Sequence, residues 1–245
     1  MKKILLALFI LMNAIVFAQG KTLYIVDFIK VKPGMKTAFE TAWKNHVARF
    51  HNTNDKRQVF EILTGSNIGG YLILEGPVSY ADMDDVKTNA KAHAEDLEKY
   101  IAPTQDIRLN GIYRNVDTLS YNGNIQTEKA VITVTHVKNG KMADYMTENR
   151  KAVNVLNKNP LPVSINVMVQ LFAGSDPVYV SIRNLKDGLK ELEDNYGGMA
   201  PSAFKDAYIK EYGQAAWDSR MKLQTEEINS RDVYVTKARK DLSSK

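Results

Sequence analysis

Two segments of the chain share one hydrophobic pattern, YIVDFIKVKPGM beginning at Tyr24 and VITVTHVKNGKM beginning at Val131. Each begins with the apolar-rich alternation of a strand and continues into a Val-Lys-x-Gly sequence, where Pro-Gly or Asn-Gly is typical of a tight turn. After the first turn, Phe39, Trp43 and Val47 follow one another at helical spacing. The patterns therefore predict that one strand–turn–helix opening occurs twice.

The similarity between the two segments continues downstream. RQVFEILTGSN matches INVMVQLFAGSD, GYLILEG matches VYVSIRN, and each half then has a long helical stretch and a last short strand, DTLSY or RDVYVTK. Each half thus predicts the order β-α-β-β-α-β, which is the ferredoxin-like unit. We expect an α+β fold with a first unit at residues 19–122, a linker at 123–128 and a second unit at 129–245.

A single unit of this kind covers one face of its sheet with helices and leaves the other face open. Two copies in one chain can bury their open faces together. In element order and in the strand–glycine–helix opening, the chain resembles the dimeric α/β-barrel superfamily, which includes antibiotic-biosynthesis-monooxygenase-like, stress-responsive A/B-barrel and NIPSNAP-like domains. The resemblance implies an intrachain barrel of two antiparallel sheets, with helices outside and a pocket between the sheets. Oxygenation, haem handling and plain ligand binding all occur on this architecture, so it does not choose a function.

Strand alternation separates two faces in each unit. One face is apolar in both units, and we expect it to pack on the helices; its first-strand residues are Tyr24, Val26, Phe28, Ala130, Ile132 and Val134. The other face mixes apolar and polar groups, and we expect it to line the pocket. Its candidate ligand-binding residues are Asp27, Glu61, Tyr71, Glu75, Gln170, Tyr179, Ser181 and Arg183. Because buried carboxylates need partners, the alternative is a structural network in which these groups pair or lie at the barrel rims.

His93 lies on the apolar stripe of a predicted helix and is the candidate catalytic residue, as a general base or an axial haem ligand. The alternative is a core histidine held by one hydrogen bond. Haem-degrading relatives on this architecture use a His with a nearby Trp and Asn, and the polar-face positions of strands one and three contain neither. Haem is therefore a possible cofactor only through His93. His46 flanks the stripe of the first helix, and we expect His51 at its end to be solvated.

Recognisable metal motifs are missing from the sequence. There is no cysteine, no HxH or HExxH and no clustered Asp/His spacing, so we expect no metal site. The sequence also contains no GxGxxG, P-loop or GxSxG pattern. Nucleic acid is not an expected partner, because the 33 basic and 28 acidic residues are interspersed without a basic stripe.

The first residues, MKKILLALFILMNAIVFAQG, have the pattern of a signal peptide. Lys2 and Lys3 precede an apolar run that is shorter than the ~20 residues of a membrane span. The small residues Val16 and Ala18 predict cleavage after Ala18. We therefore expect residues 1–18 to be removed and the protein to be exported, periplasmic or secreted, without a membrane span; it could also form a homo-oligomer.

Three functional hypotheses fit these observations. The first is an exported small-molecule-binding protein with a pocket between two antiparallel sheets. The second is a monooxygenase-like enzyme, cofactor-free or haem-dependent, with His93 as base or ligand and with Tyr71, Tyr179 and Arg183 orienting the substrate. The third is a structural or interaction protein with a filled barrel.

Overall fold

The computed structural model describes residues 20–51, 56–84, 89–123, 127–160, 163–172, 174, 176–193 and 201–245. The predicted signal peptide lies outside these residues. In the described ranges, no helix has both the length and the apolar character needed to cross a membrane. The strands of this part are β1 (Leu23–Val31), β2 (Arg57–Ile62), β3 (Tyr71–Val78), β4 (Gln105–Asn115), β5 (Tyr121–Asn122), β6 (Lys129–Val137), β7 (Ser164–Leu171), β8 (Val178–Asn184) and β9 (Ile228–Ala238). The α-helices are α1 (Lys36–Phe50), α2 (Tyr80–Asp84), α3 (Ala90–Asp96), α4 (Met142–Lys158), α5 (Pro201–Tyr212) and α6 (Gln214–Glu226).

The strands form a closed barrel in the order β4-β1-β3-β2-β9-β6-β8-β7, with β4 also pairing with β7 and β5 added outside β7. Each unit contributes the ferredoxin-like strand order, β4-β1-β3-β2 from the first and β9-β6-β8-β7 from the second. The predicted fold class is confirmed. The two four-stranded sheets also hydrogen-bond at both edges, where β2 pairs with β9 and β4 pairs with β7.

One apolar core fills the barrel and draws on both units. Val26, Leu72 and Leu74 from the first unit pack against Ile132 and other residues from the second. Two smaller cores lie outside the barrel, beneath the helices. Phe39, Trp43 and Val47 of α1 cover the first sheet, and α4 and α6 cover the second. The molecule therefore has three layers, helices on either side of a barrel that encloses the shared core.

The assignment of strand faces from the sequence was wrong. The uniformly apolar face points into the barrel, and the mixed face lies beneath the helices. The proposed ligand-binding residues on the helix side are Asp27, Glu61, Tyr71, Glu75, Tyr179, Ser181 and Arg183. The physical reason is that water is excluded from the closed barrel on all sides, so its interior accepts apolar groups. On the outer face of the sheets, between the strands and the helices, polar side chains can reach hydrogen-bond partners or solvent.

The last strand of the first unit also differs from the prediction. It is β4, whereas DTLSY forms a short 3₁₀ turn at Asp117–Leu119 followed by β5, which pairs with β7. β4 has the sequence QDIRLNGIYRN, in which charged residues and Gly111 interrupt the apolar alternation. Such a sequence gives little strand signal, and its pairing with β1 and β7 supplies the stability instead.

Candidate functional site

A cavity of about 400 Å³ lies at one end of the barrel between the two units. We call it the His136 mouth. It is lined by Val26, Phe28, Ser66, Asn67, Leu109, Asn110, Gly111, Tyr113, Val134, His136, Gln170, Val178, Asp232 and Tyr234. The walls thus come from β1, β4, β6, β7, β8, β9 and the β2–β3 hairpin, so the cavity requires both units.

Tyr234 of β9 forms one aromatic wall of the His136 mouth. Its hydroxyl accepts a hydrogen bond from Asn67 Nδ2 at 3.1 Å, and its ring centroid is 6.2 Å from that of Phe28. Gly65, at φ +87°, makes room for the ring, because a Cβ there would lie 3.1 Å from Tyr234 Cδ1. The glycine of the TGSNIGG hairpin therefore lets the first unit pack against an aromatic ring of the second.

Gln170 of β7 reaches the cavity at the β4–β7 seam. A Cβ on Gly111 would lie 2.7 Å from Gln170 Nε2 and 2.9 Å from the Tyr113 ring, so the glycine gives both side chains their space. Gln170 is the one predicted ligand-binding residue that lines the mouth. Burial raises the pKa of Tyr113 to about 12, so its phenol stays neutral and can donate a hydrogen bond at neutral pH.

Two titratable side chains stand on adjacent strands in the wall of this cavity. Val134 pairs with Asp232 and His136 pairs with Ser230, so His136 and Asp232 are diagonal neighbours on one face. His136 is half-buried and Asp232 is exposed. A sequence signal for His136 existed, since it ends the alternating row that begins at Ala130. Assigning that row to the helices concealed it.

A second cavity, of about 560 Å³, lies at the opposite end and is lined by residues such as Tyr24, Phe60 and Asn184. Several of its polar groups are already engaged in holding the chain together. Ser120 Oγ donates to the carbonyl of Val116 at 3.0 Å, and Ser164 Oγ accepts the Gly123 N–H at 3.1 Å. Between the two ends the barrel is filled by the shared core. The expected pocket between the sheets is therefore reduced to cavities at the ends.

The two carboxylates of β1 and β3 that were predicted to bind a ligand form ion pairs within the protein. Asp27 is 3% exposed and binds the Arg108 guanidinium through both carboxylate oxygens at 3.1 Å, and it also accepts from Asn110 Nδ2 at 2.7 Å. Glu75 Oε2 accepts from Arg57 Nη2 at 2.5 Å. Both carboxylates thus belong to ion pairs on the helix side of the sheet, the structural alternative stated for them; the pair of Glu75 is buried, whereas the Arg108 side chain is 38% exposed.

Tyr71 and Glu61 belong to a second network, centred on Arg239. Tyr71 Oη donates to Glu40 Oε1 at 2.5 Å, and Arg239 Nη1 donates to Glu40 at 2.6 Å and to Glu61 at 2.9 Å. The Glu40 pKa is lowered, chiefly by the hydrogen bond from Arg239. Burial raises the pKa of Tyr71, reinforced by its bond to Glu40. These residues link α1 to the C-terminal segment after β9.

The predicted residues of the second unit lie beneath α4 and α6. Tyr179 is 1% exposed and packs against Tyr145 at a centroid distance of 4.7 Å, and burial raises its pKa to about 12. Ser181 and Arg183 are half-buried on the same face. Among the described residues, Arg183 forms no ion pair with a carboxylate, whereas two strand arginines of the first unit do.

Histidines gather at a third location, where α1 ends. His46 of α1, His51 directly after it and His93 of α3 form one cluster, with Nε2 distances of 3.2 Å from His51 to His46 and of 3.2 Å from His51 to His93. His46 Nδ1 lies 2.9 Å from Asp96 Oδ2. His46 is 0% and His51 1% exposed, so the expectation that His51 is solvated was wrong.

The electrostatics of the cluster favour an uncharged His46 ring. Burial lowers the pKa of His46 to about 4, and His51, His93 and Arg57 add to the effect against the opposing hydrogen bond to Asp96. Haem does not fit here, because a porphyrin bound to His93 Nε2 would collide with the His51 ring. His93 also lies outside the barrel and away from both cavities. A metal site was not predicted here, because residues 46, 51 and 93 do not form a short sequence motif.

No family model and no curated protein matches the chain. Solved structures do match. An anthrone oxidase-like protein superposes with a TM-score of 0.57 at 12% identity, covering 91% of this chain and 93% of the other. A mutant chlorite dismutase from Candidatus Nitrospira defluvii superposes with 0.54 at 6% identity, covering 92% and 94%. A proposed monooxygenase from Lactobacillus acidophilus NCFM superposes with 0.53 at 10% identity, covering 91% and 96%. Similarity at this level concerns the backbone alone, and with the strand order and the shared core it shows that the chain has the fold of a dimeric α/β barrel, formed here within one polypeptide.

Proposed function

We propose that the protein binds a small, mainly apolar molecule with a polar end in the His136 mouth. The observation that carries this proposal is a cavity whose aromatic walls and polar groups converge from both units. Its volume of about 400 Å³ falls in the range of about 300–1,000 Å³ typical of small-molecule sites. Phe28, Tyr113 and Tyr234 would contact the apolar part of the ligand, and Gln170 and His136 would hydrogen-bond its polar end.

A monooxygenase-like activity in the same cavity is the second candidate. It is favoured by the position of His136 in the cavity wall, where the ring can act as a general base. The names of the structural neighbours suggest the reaction class. In such a reaction His136 takes a proton from an activated CH₂ group, O₂ is the oxidant, the carbon becomes a carbonyl and water is the second product. Haem has no place in this scheme, because His93 lies elsewhere.

Ligand titrations monitored by thermal unfolding test the binding proposal, with anthrone and a panel of small phenols and aromatic acids as probes. We expect saturable stabilisation by at least one probe. Gln170→Leu should weaken its binding about five- to tenfold, the effect of one lost hydrogen bond. Gln58→Leu is the matched control, because Gln58 lines the opposite cavity. If no probe stabilises the protein, or if both variants bind equally, the His136 mouth is not the binding site.

Oxygen consumption separates the two functions. A binding protein should consume no O₂ with a stabilising probe, whereas an enzyme should consume it and lose this activity in His136→Ala while still binding the probe. Export after cleavage at Ala18 stays a prediction from residues 1–18, and so does a homo-oligomeric state.

A further inference from the structure

The histidine cluster outside the barrel has the geometry of a metal site. It contains three of the four histidines of the chain, all in the first unit, and their ligand atoms lie within 4.8 Å of one another. The ring centroids are 4.7 Å apart for His46 and His93, 5.0 Å for His46 and His51, and 5.1 Å for His51 and His93. Three imidazoles therefore converge without stacking face to face.

Two short contacts converge on a single nitrogen of His51. The Asp96 carboxylate accepts the proton on His46 Nδ1, which leaves a lone pair on His46 Nε2. His51 Nε2 lies 3.2 Å from both other Nε2 atoms but has a single in-plane direction for a proton or a lone pair. This nitrogen can thus form one well-aligned hydrogen bond at most with the other two rings, and the second short N···N contact adds little stability. A cation between the rings would accept all three lone pairs.

Two of the three nitrogen–nitrogen distances fit a tetrahedral metal ion such as Zn²⁺, and the third pair lies within 4.8 Å. Zn²⁺ binds His nitrogen at about 2.0–2.1 Å in tetrahedral geometry, which places two ligand nitrogens about 3.3 Å apart. The two measured Nε2 distances are both 3.2 Å. Three imidazole ligands without sulfur suit Zn²⁺, and the fourth position of such sites is taken by water.

The surroundings have the features of a prepared site. Asp96 orients His46 in the way that carboxylates orient zinc-bound histidines. The ring of Phe50 lies 5.0 Å from His46 and 5.2 Å from His93 and shields the cluster. Asp96 also lines an open groove of about 800 Å³ beside α1, and His93 is half-buried, so an ion can reach the cluster from solvent.

We propose that His46, His51 and His93 bind one Zn²⁺ ion, with Asp96 as the positioning residue and an open fourth coordination position. The site joins the end of α1 to α3 and lies outside the barrel. It is thus independent of the cavity proposed above to bind a small molecule.

Titration of the chelator-treated chain with Co²⁺, the spectroscopic substitute for Zn²⁺, tests the proposal. We expect visible d–d bands that saturate at one equivalent and disappear when Zn²⁺ is added. His93→Gln should abolish the bands, and His136→Gln, the matched control in the barrel mouth, should retain them. Bound Co²⁺ should also quench the fluorescence of Trp43, because its ring centroid is 5.7 Å from that of His46.

Asp96→Asn keeps the proposal testable if His93→Gln fails to fold, which circular dichroism without metal would reveal. Loss of the carboxylate should weaken metal binding about 10- to 100-fold while the three ligands remain. The proposal is overturned if the wild-type chain takes up less than one equivalent, if His93→Gln folds and binds Co²⁺ as the wild type does, or if Asp96→Asn changes nothing.

Discussion

At the scale of single residues, the mixed face of the strands includes a buried ion pair between Arg57 and Glu75. Arg57 and Glu75 have side chains that are 6% and 11% exposed, and the Arg57 guanidinium also lies over the Trp43 ring at 5.5 Å. Arg57 Nε and Nη1 are buried without a hydrogen-bond partner, so Glu75 is the compensating charge that the structure shows. Glu75 matches Arg183 in the second unit, and the difference in charge therefore reflects local packing beneath α1.

Glu75→Gln should destabilise the protein by about 3–5 kcal/mol, because it leaves a buried guanidinium without its counter-charge. Urea unfolding measures the change. Glu95→Gln is the control, since Glu95 pairs with Lys91 at 3.9 Å with side chains that are 66% and 91% exposed, and it should stay within about 0.5 kcal/mol. Equal effects from the two substitutions would contradict a structural role for the buried pair.

At the scale of elements, the two β-hairpins that connect the middle strands of each unit differ in how much space surrounds their glycines. In the first unit, a Cβ on Gly70 would lie 2.5 Å from the backbone oxygen of Ile29 and 3.0 Å from that of Asn67. In the second, a Cβ on Gly174 would meet nothing within 4 Å. The first hairpin is thus packed against β1, while Gly174 has open space around it.

Gly70→Ala should therefore cost about 1–3 kcal/mol, since backbone atoms cannot move away as a side chain can. Gly174→Ala should be neutral or stabilise by up to about 1 kcal/mol, because it restricts the unfolded chain alone. Thermal unfolding of both variants provides the measurement. A Gly70→Ala protein as stable as Gly174→Ala would show that β1 and the hairpin are less closely packed than the structure indicates.

The sequence predicts helices and strands well where the hydrophobic periodicity is strong. It fails where pairing with distant strands determines whether a segment is a strand and which face is buried. The duplicated strand–turn–helix opening correctly predicted β1, α1, β6 and α4. When RQVFEILTGSN and INVMVQLFAGSD are aligned on Gly65 and Gly174, Val59 matches Met168, yet Val59 faces α1 and Met168 lies in the barrel core. A shift of one residue reverses both faces of a strand. Alternation alone also cannot state which face is enclosed, so His136 was missed as a lining residue.

At the scale of the whole molecule, the two units complete one another. The β2–β9 and β4–β7 seams close the barrel, and the enclosed core takes Leu72 from the first unit and Val180 from the second, both fully buried. Neither sheet can close or fill a barrel by itself. The histidine cluster differs in this respect, because all its members belong to the first unit, and repetition of the units gives it no counterpart.

This shared core predicts that the described units unfold together, although chains longer than about 150 residues often unfold in several steps. Differential scanning calorimetry should show one transition with equal calorimetric and van't Hoff enthalpies. Leu72→Ala should lower the stability by about 2–5 kcal/mol, and Val180→Ala, a smaller truncation in the other unit, should shift the same single transition by less. Two transitions, of which each variant moves only the one belonging to its own unit, would show that the units fold separately and that the barrel forms by docking of finished domains.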